Sequence, residues 1–205
     1  MRALIVVDIQ NDFCLGGALE IPGGDEVIPV ANAVMEKFSL VVATREWHPA
    51  NHVSFAANHP WRRPGNLVQL DGEEQMLWTM HCVQGSFGAE FAPGLDTSKF
   101  QKAFAKGIAP QLDNHSGFFD KGRKRSTGLE EYLREKGVEE VYVLGLSPDN
   151  GVRFTVLDAL ELGFRTYLVS DGVREADLEA GDSDLAVKEM REKGAIIVKS
   201  SDIEG

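Results

Sequence analysis

Val143-Leu-Gly-Leu-Ser-Pro-Asp-Asn-Gly-Val-Arg-Phe-Thr-Val-Leu-Asp-Ala159 decides the fold. Its first residues end an apolar run over 141–146, the pattern of a strand buried on both faces. Ser147, Pro148, Asp149 and Asn150 break that run as a tight turn, and an amphipathic helix is expected from Gly151 to Leu162. A strand whose carboxyl end turns straight into a helix leaves the first helical N–H groups without intrahelical acceptors. Such a turn suits an anion or a developing oxyanion.

The same alternation runs outward in both directions. Further strands are expected at 3–7, 39–43, 103–106, 166–169 and 195–198. Helices are expected from Asp25 through Val34, over 127–136 behind a Thr127/Glu130 capping box, and from a cap at Asp182 or Ser183 through Glu192. Strand and helix in alternation predict an α/β fold in three α/β/α layers around a mostly parallel, doubly wound sheet, with residues 1–205 as one domain. Residues 50–98 and 107–125 carry little periodicity and read as long loops, and the basic stretch 121–125 reads as a solvated face.

A formal net charge of -11 argues against nucleic acid or an anionic membrane as a partner. Two cysteines, Cys14 and Cys82, give no disulfide framework and fit a reducing, cytoplasmic setting. The apolar run at 3–7 is too short for a signal-peptide core or a membrane span.

Three strand ends carry candidate chemistry. Asp8 ends the first apolar run, where low dielectric disfavours the carboxylate and suits a proton donor or acceptor; a turn aspartate is the competing reading. Lys106 ends another run and, next to Asp8, would tune that carboxyl; alone it reads as a surface lysine. The 146–151 turn is the third. Glu46 and His48, two apart and therefore on one side of an extended segment, form a metal-ligand candidate with the later His81. His52 is a weaker member of that set.

The series Asp8-x-Gln-Asn-Asp-Phe13, Trp47-His-Pro-x-x-His52-x-Ser-Phe55, His81-Cys-Val-Gln-Gly85, Lys106-Gly107 and the stretch from Gly145 to Ala159 resembles the nicotinamidase/isochorismatase-like hydrolases over nearly the whole chain. The resemblance implies a site at the carboxyl edge of the sheet. It gives Asp8 and Lys106 the acid/base and lysine roles, and Glu46, His48 and His81 the positions that hold a divalent ion, zinc foremost. Phe13 and Trp78 would line a ring pocket, with Ser147 and Asn150 also facing substrate. It further implies a cis peptide bond before Ser147, a small-molecule substrate and a homo-oligomer.

Two departures stand out. The family turn usually reads Ala-Thr-Asp-Tyr-Cys, whereas here it is Ser147-Pro-Asp-Asn-Gly151, and the first metal ligand is usually Asp rather than Glu46. Gly151 occupies the place of the usual nucleophile and cannot form a thioester. True isochorismatases also carry glycine there and hydrolyse a vinyl ether by protonating carbon, which needs no covalent nucleophile. The expectation is therefore non-covalent, acid-catalysed hydrolysis of a small cyclic metabolite with Asp8 as general acid, in a space left open by the missing thiol. The alternatives are a catalytically silent relative that binds a small ring compound or metal, and an amidase using metal-bound water.

Overall fold

The structure is a computed structural model that describes residues 1–70, 72–175 and 181–205. Six strands form one sheet: β1 (Arg2–Val7), β2 (Val41–Glu46), β5 (Lys102–Lys106), β6 (Glu140–Leu146), β7 (Arg165–Arg174) and β8 (Ile196–Val198). Their order is β5-β2-β1-β6-β7-β8, and every neighbouring pair is parallel. The chain starts in the middle, winds to one edge, then returns and winds to the other. In such a sheet ligands sit beyond the strands' carboxyl ends, near the point where the winding reverses. That point lies between β1 and β6.

The two faces are covered separately. Helix α1 (Val27–Met35) packs Val27, Ala31, Val34 and Met35 against Leu4, Val6, Val41 and Leu144. Helices α2 (Leu129–Glu135), α3 (Gly151–Glu161) and α4 (Asp182–Glu192) contribute Leu129, Leu133, Val152, Val156 and Met190 to the opposite core, with Ile5, Val7, Val143 and Leu168. Alternate residues of β1 thus feed opposite layers, as a period of two requires. These are the three layers expected from the sequence.

Several local expectations are corrected. Asp25 belongs to a short 3-10 turn, Gly24–Glu26, that precedes α1. The Thr127/Glu130 capping box does not form: the N-cap of α2 is Gly128 in a left-handed conformation, and Thr127 Oγ1 accepts from Leu129 N and donates to Gly117 O. Helix α4 is preceded by Gly181, so neither Asp182 nor Ser183 is its N-cap. Strand β7 runs to Arg174, past an irregularity where β6 shifts register between Val143 and Gly145. Within 50–98 an antiparallel hairpin forms from β3 (Leu67–Leu70) and β4 (Glu73–Met76). The 121–125 stretch is not simply solvated: Arg123 pairs with Asp158 and Glu161 on α3, and Lys121 Nζ donates to Glu74 O.

Candidate active site

Three adjacent strands deliver three charges to one place. Asp8 follows β1, Glu46 ends β2, and Lys106 ends β5, in register opposite Glu46. Lysine is long enough to reach across β2, so its Nζ lies 2.8 Å from Asp8 Oδ2 and 2.7 Å from Glu46 Oε1. Asp8 holds φ = 50°, a left-handed conformation that aspartate tolerates better than most residues. Thr44 Oγ1, at 2.8 Å, donates to Asp8 Oδ1. All three charged residues are buried.

One ammonium faces two carboxyls, so their protonation is unequal. Burial pushes the Asp8 carboxyl above its usual value, and Lys106 and Thr44 only partly oppose this. Burial also works against ionised Glu46, but Lys106 together with His48 and His81 more than offsets it and holds Glu46 well below the usual carboxylate range. Lys106 keeps its proton, since the attraction of Asp8 and Glu46 exceeds its own burial penalty. Of the two acids, Asp8 is the one prepared to hold a proton.

The other oxygen of Glu46 organises the histidines. His48 Nε2 lies 3.0 Å and His81 Nε2 2.9 Å from Glu46 Oε2. Each ring is fixed from behind by an acceptor that demands a proton on Nδ1: Gly107 O at 3.0 Å for His48 and Thr79 O at 2.7 Å for His81. In the neutral tautomer both Nε2 lone pairs then converge on a carboxylate oxygen, a donor set with nothing but acceptors facing inward. Such a set suits a divalent cation, and carbonyl-anchored imidazoles are the usual way to orient metal ligands. The three ligand atoms lie within 4.8 Å of one another. Glu46 offers this centre Oε2 while Lys106 engages Oε1.

Local sequence explains the placement. His48 donates its backbone N–H to Cys82 O and accepts at its own carbonyl from Gln84, which brings His81 alongside. Gln10 clamps the end of β2 from both sides, accepting from Glu46 N at 2.7 Å and donating to Glu46 O at 2.9 Å. Gly107 has φ = 64°, and a β-carbon there would lie 2.2 Å from His48 Cε1; only glycine lets the ring pack so closely. His52 turns away from the ligand set. Its Nε2 donates to Leu112 O, its Nδ1 accepts from Ser54, and burial and nearby His48 push its pKa down to about 4.

Above this floor opens a cavity of about 490 Å³. Asp8, Glu46, His48 and His81 form its base; Phe13, Trp78 and Leu146 give it apolar walls; Ser147, Asn150 and Gly151 form the side where α3 begins. The Leu146–Ser147 peptide bond is cis. No side chain caps α3 at Asn150. Gly151 stands directly against Asp8: a β-carbon on it would lie 2.9 Å from Asp8 Oδ2 and 3.0 Å from Leu146 O. The space expected in place of a thiol is therefore already in contact with the Asp8 carboxyl. Cys14 and Cys82 are buried away from this cavity, and burial raises both thiols, Cys14 to about 11, which is the reverse of nucleophile activation.

Asp113, His115, Asp149, Arg153 and Glu189 also reach the cavity, and Thr44 and Gln10 support its floor. None stood out in the sequence. Thr44 and Gln10 did carry a signal, as polar residues at or just past the end of buried apolar runs.

The domain description "Isochorismatase domain" matches residues 2–202. The chain belongs to the isochorismatase family. This isochorismatase-family chain is 44% identical to the nicotinamidase of Escherichia coli (strain K12), over 99% of its own length and 97% of that protein's. Its structure superimposes on the nicotinamidase/pyrazinamidase of Acinetobacter baumanii with a TM-score of 0.94 at 40% identity, covering 98% of this chain and 97% of that one. The pyrazinamidase of Pyrococcus horikoshii, solved in complex with zinc, gives a TM-score of 0.79 at 38% identity, with 97% and 98% covered. The family member described here is a hydrolase. No described helix is long and apolar enough to cross a membrane.

Proposed function

We propose that this hydrolase acts on a small cyclic metabolite without a covalent intermediate, by acid-catalysed hydrolysis of the vinyl-ether type. The observation that carries the reading is Gly151, a residue without a side chain set against Asp8 Oδ2, in a cavity that neither cysteine reaches. The ring of the substrate lies between Phe13 and Trp78. Asp8 transfers its proton to the alkene carbon, and Lys106 stabilises the carboxylate left behind. Water adds to the resulting oxocarbenium carbon, and the hemiketal formed collapses to a carbonyl compound and an alcohol. The proton released by that water restores Asp8, so none is consumed overall. The N–H groups of Ser147 and Gly151 face the oxygen on which charge changes. Glu46, His48 and His81 would hold a divalent ion, zinc by analogy with the Pyrococcus protein, which would supply Lewis-acid polarisation when bound.

The second reading is a silent, nicotinamidase-like binder. It draws on the same ring walls and ligand set, which persist although no thiol is present. Turnover of a panel of cyclic vinyl ethers and aromatic carboxamides, followed by chromatography beside Asp8→Asn, separates the two. Vinyl-ether turnover that disappears in Asp8→Asn supports the proposal. Tight binding of nicotinamide with no turnover of any panel member supports the binder, and carboxamide turnover that survives Asp8→Asn overturns both.

A further inference from the structure

The turn that follows Asp8 holds the segment that carries His81. Residues Asn11–Phe13 form one 3-10 turn, and each of them contacts the 81–90 loop. Asn11 Nδ2 donates to Phe87 O at 2.7 Å. Asp12 Oδ2 accepts from Cys82 N at 2.7 Å. The Phe13 ring lies against the His81 ring, with centroids 5.7 Å apart. Phe13 lines the cavity above Asp8, whereas Asp12 does not.

The Asp12 contact fixes the backbone next to His81. Among the described residues no acceptor takes the N–H of Thr79, Met80 or His81, so the first anchored N–H of this segment is that of Cys82. Cys82 has φ = 45°, a left-handed conformation that a residue with a β-carbon seldom adopts without support. It turns the chain between His81, whose Nε2 lies 2.9 Å from Glu46 Oε2, and Val83, which bridges His48. Thr79 O sets the rotation of the His81 ring through Nδ1, whereas the Cys82 N–H sets where that ring starts from.

The contact is built for a carboxylate. The other oxygen, Asp12 Oδ1, accepts from Ala18 N at 3.1 Å, so both oxygens face N–H donors. An amide could serve only one of them, because its NH2 end would face a donor. Gly88 leaves the room: a β-carbon there would lie 2.0 Å from Asp12 Oδ2.

We infer that Asp12 is a positioning residue for the metal-ligand set, acting through the Cys82 N–H to hold His81 at Glu46. The inference rests on the reading that Glu46, His48 and His81 hold a divalent ion, and it is independent of the reaction the hydrolase performs. Groups behind the ligands commonly set metal affinity, and here the support reaches His81 through the main chain as well as through its ring nitrogen.

The test is the zinc affinity of chelator-stripped protein, read by competition with a chromophoric chelator. Asp12→Asn should weaken zinc binding by about 10–100-fold with an unchanged circular dichroism spectrum. It should also shift the visible absorption of bound cobalt(II), which a purely structural role would leave alone. The double variant Asp12→Asn/His81→Ala should bind zinc no more weakly than His81→Ala, because the contribution of Asp12 is then already lost. Gly88→Ala displaces the same carboxylate from the other side and should reproduce the loss should Asp12→Asn fail to fold. Unchanged zinc affinity beside a lowered Tm, or additive losses in the double variant, overturns the inference while the metal reading stands. A wild type that takes up no zinc overturns both.

Discussion

The two walls of the cavity above Asp8 are built on opposite terms. On the side of β1, β2 and β5, each charge has a named partner: Asp8 has Lys106 and Thr44, and Glu46 has Lys106, His48 and His81. On the side of α3, the turn from Ser147 to Gly151 offers backbone and, at Gly151, only a hydrogen atom. One wall is thus fixed by mutual ionic and hydrogen-bonding constraint; the other is defined by how closely Gly151 lets Asp8 approach. Chemistry that needs a proton can be run from the first wall alone, whereas chemistry that needs a nucleophile cannot be run from the second.

The largest expected effect tests the proton. Asp8→Asn keeps the volume and an acceptor for Thr44 but has no acidic proton, so turnover should fall by roughly 10²–10⁴-fold with an unchanged circular dichroism spectrum. Steady-state kinetics checks this, and undiminished turnover would move the chemistry off the charged wall. Next, Lys106→Met should cost about 3–5 kcal/mol of unfolding free energy in urea titration, because it leaves two buried carboxyls without their counter-ion. The double variant Lys106→Met/Asp8→Asn should recover part of that loss, as one unpaired charge is then gone.

The bare wall responds less. Gly151→Ala gains about 1 kcal/mol of helix propensity. Its β-carbon, 2.9 Å from Asp8 Oδ2, forces the carboxyl or the helix start to shift. Overpacking of this kind costs about 1–3 kcal/mol, so a small net destabilisation is expected by urea titration. Gly151→Cys should likewise fail to raise native turnover. If instead it created nicotinamidase activity, the cavity would be a disarmed amidase site and the contrast between the walls would be recent damage.

The smallest effect is in the pH profile of stability, measured on chelator-treated protein. His52 is held neutral down to about 4, so the unfolded chain binds the extra proton first and stability should fall as pH drops below about 6.5. His81 has a raised pKa: its burial opposes the charge, but Glu46 outweighs this. Its contribution is complete below the unfolded value and is lost as pH rises through the folded one. The two histidines together place a shallow maximum near pH 6.5, and His52→Gln should flatten the acid limb.

The sheet was readable because β1, β2 and β6 are continuous apolar runs, and such runs have few other uses. The hairpin of β3 and β4 was not, since Leu67 is half exposed and polar residues interrupt the pattern. Two of the helix starts were misread for one physical reason. Gly128 and Gly181, in left-handed conformations at the N-caps of α2 and α4, take the positions assigned to capping side chains. In the site, Asp8 and the 146–151 turn were legible as polar residues closing buried strands, whereas Lys106 read alone as a surface lysine and is instead buried between Asp8 and Glu46. His81 was named with Glu46 and His48 as a metal-ligand candidate, but its approach was not legible, because what brings it to Glu46 is the pairing of His48 with the 82–84 segment, and no spacing rule encodes that. The contact between Gly151 and Asp8 depends on packing across β1 and β6 and left no trace in the local sequence.

Lys106 also acts on how the sheet is assembled. Strand β5 lies at an edge, and within it Phe104 is the sole large apolar side chain among Lys102, Ala103, Ala105 and Lys106. So sparse a pattern specifies alignment weakly, and a one-residue slip would send every side chain to the other face. A slip of that kind would strand the ammonium and leave Asp8 and Glu46 facing Ala105 or Gly107. The correct alignment is the one in which both carboxyls find their counter-ion, so the lysine that pairs with Asp8 is also the ruler that tells the edge strand where to stop.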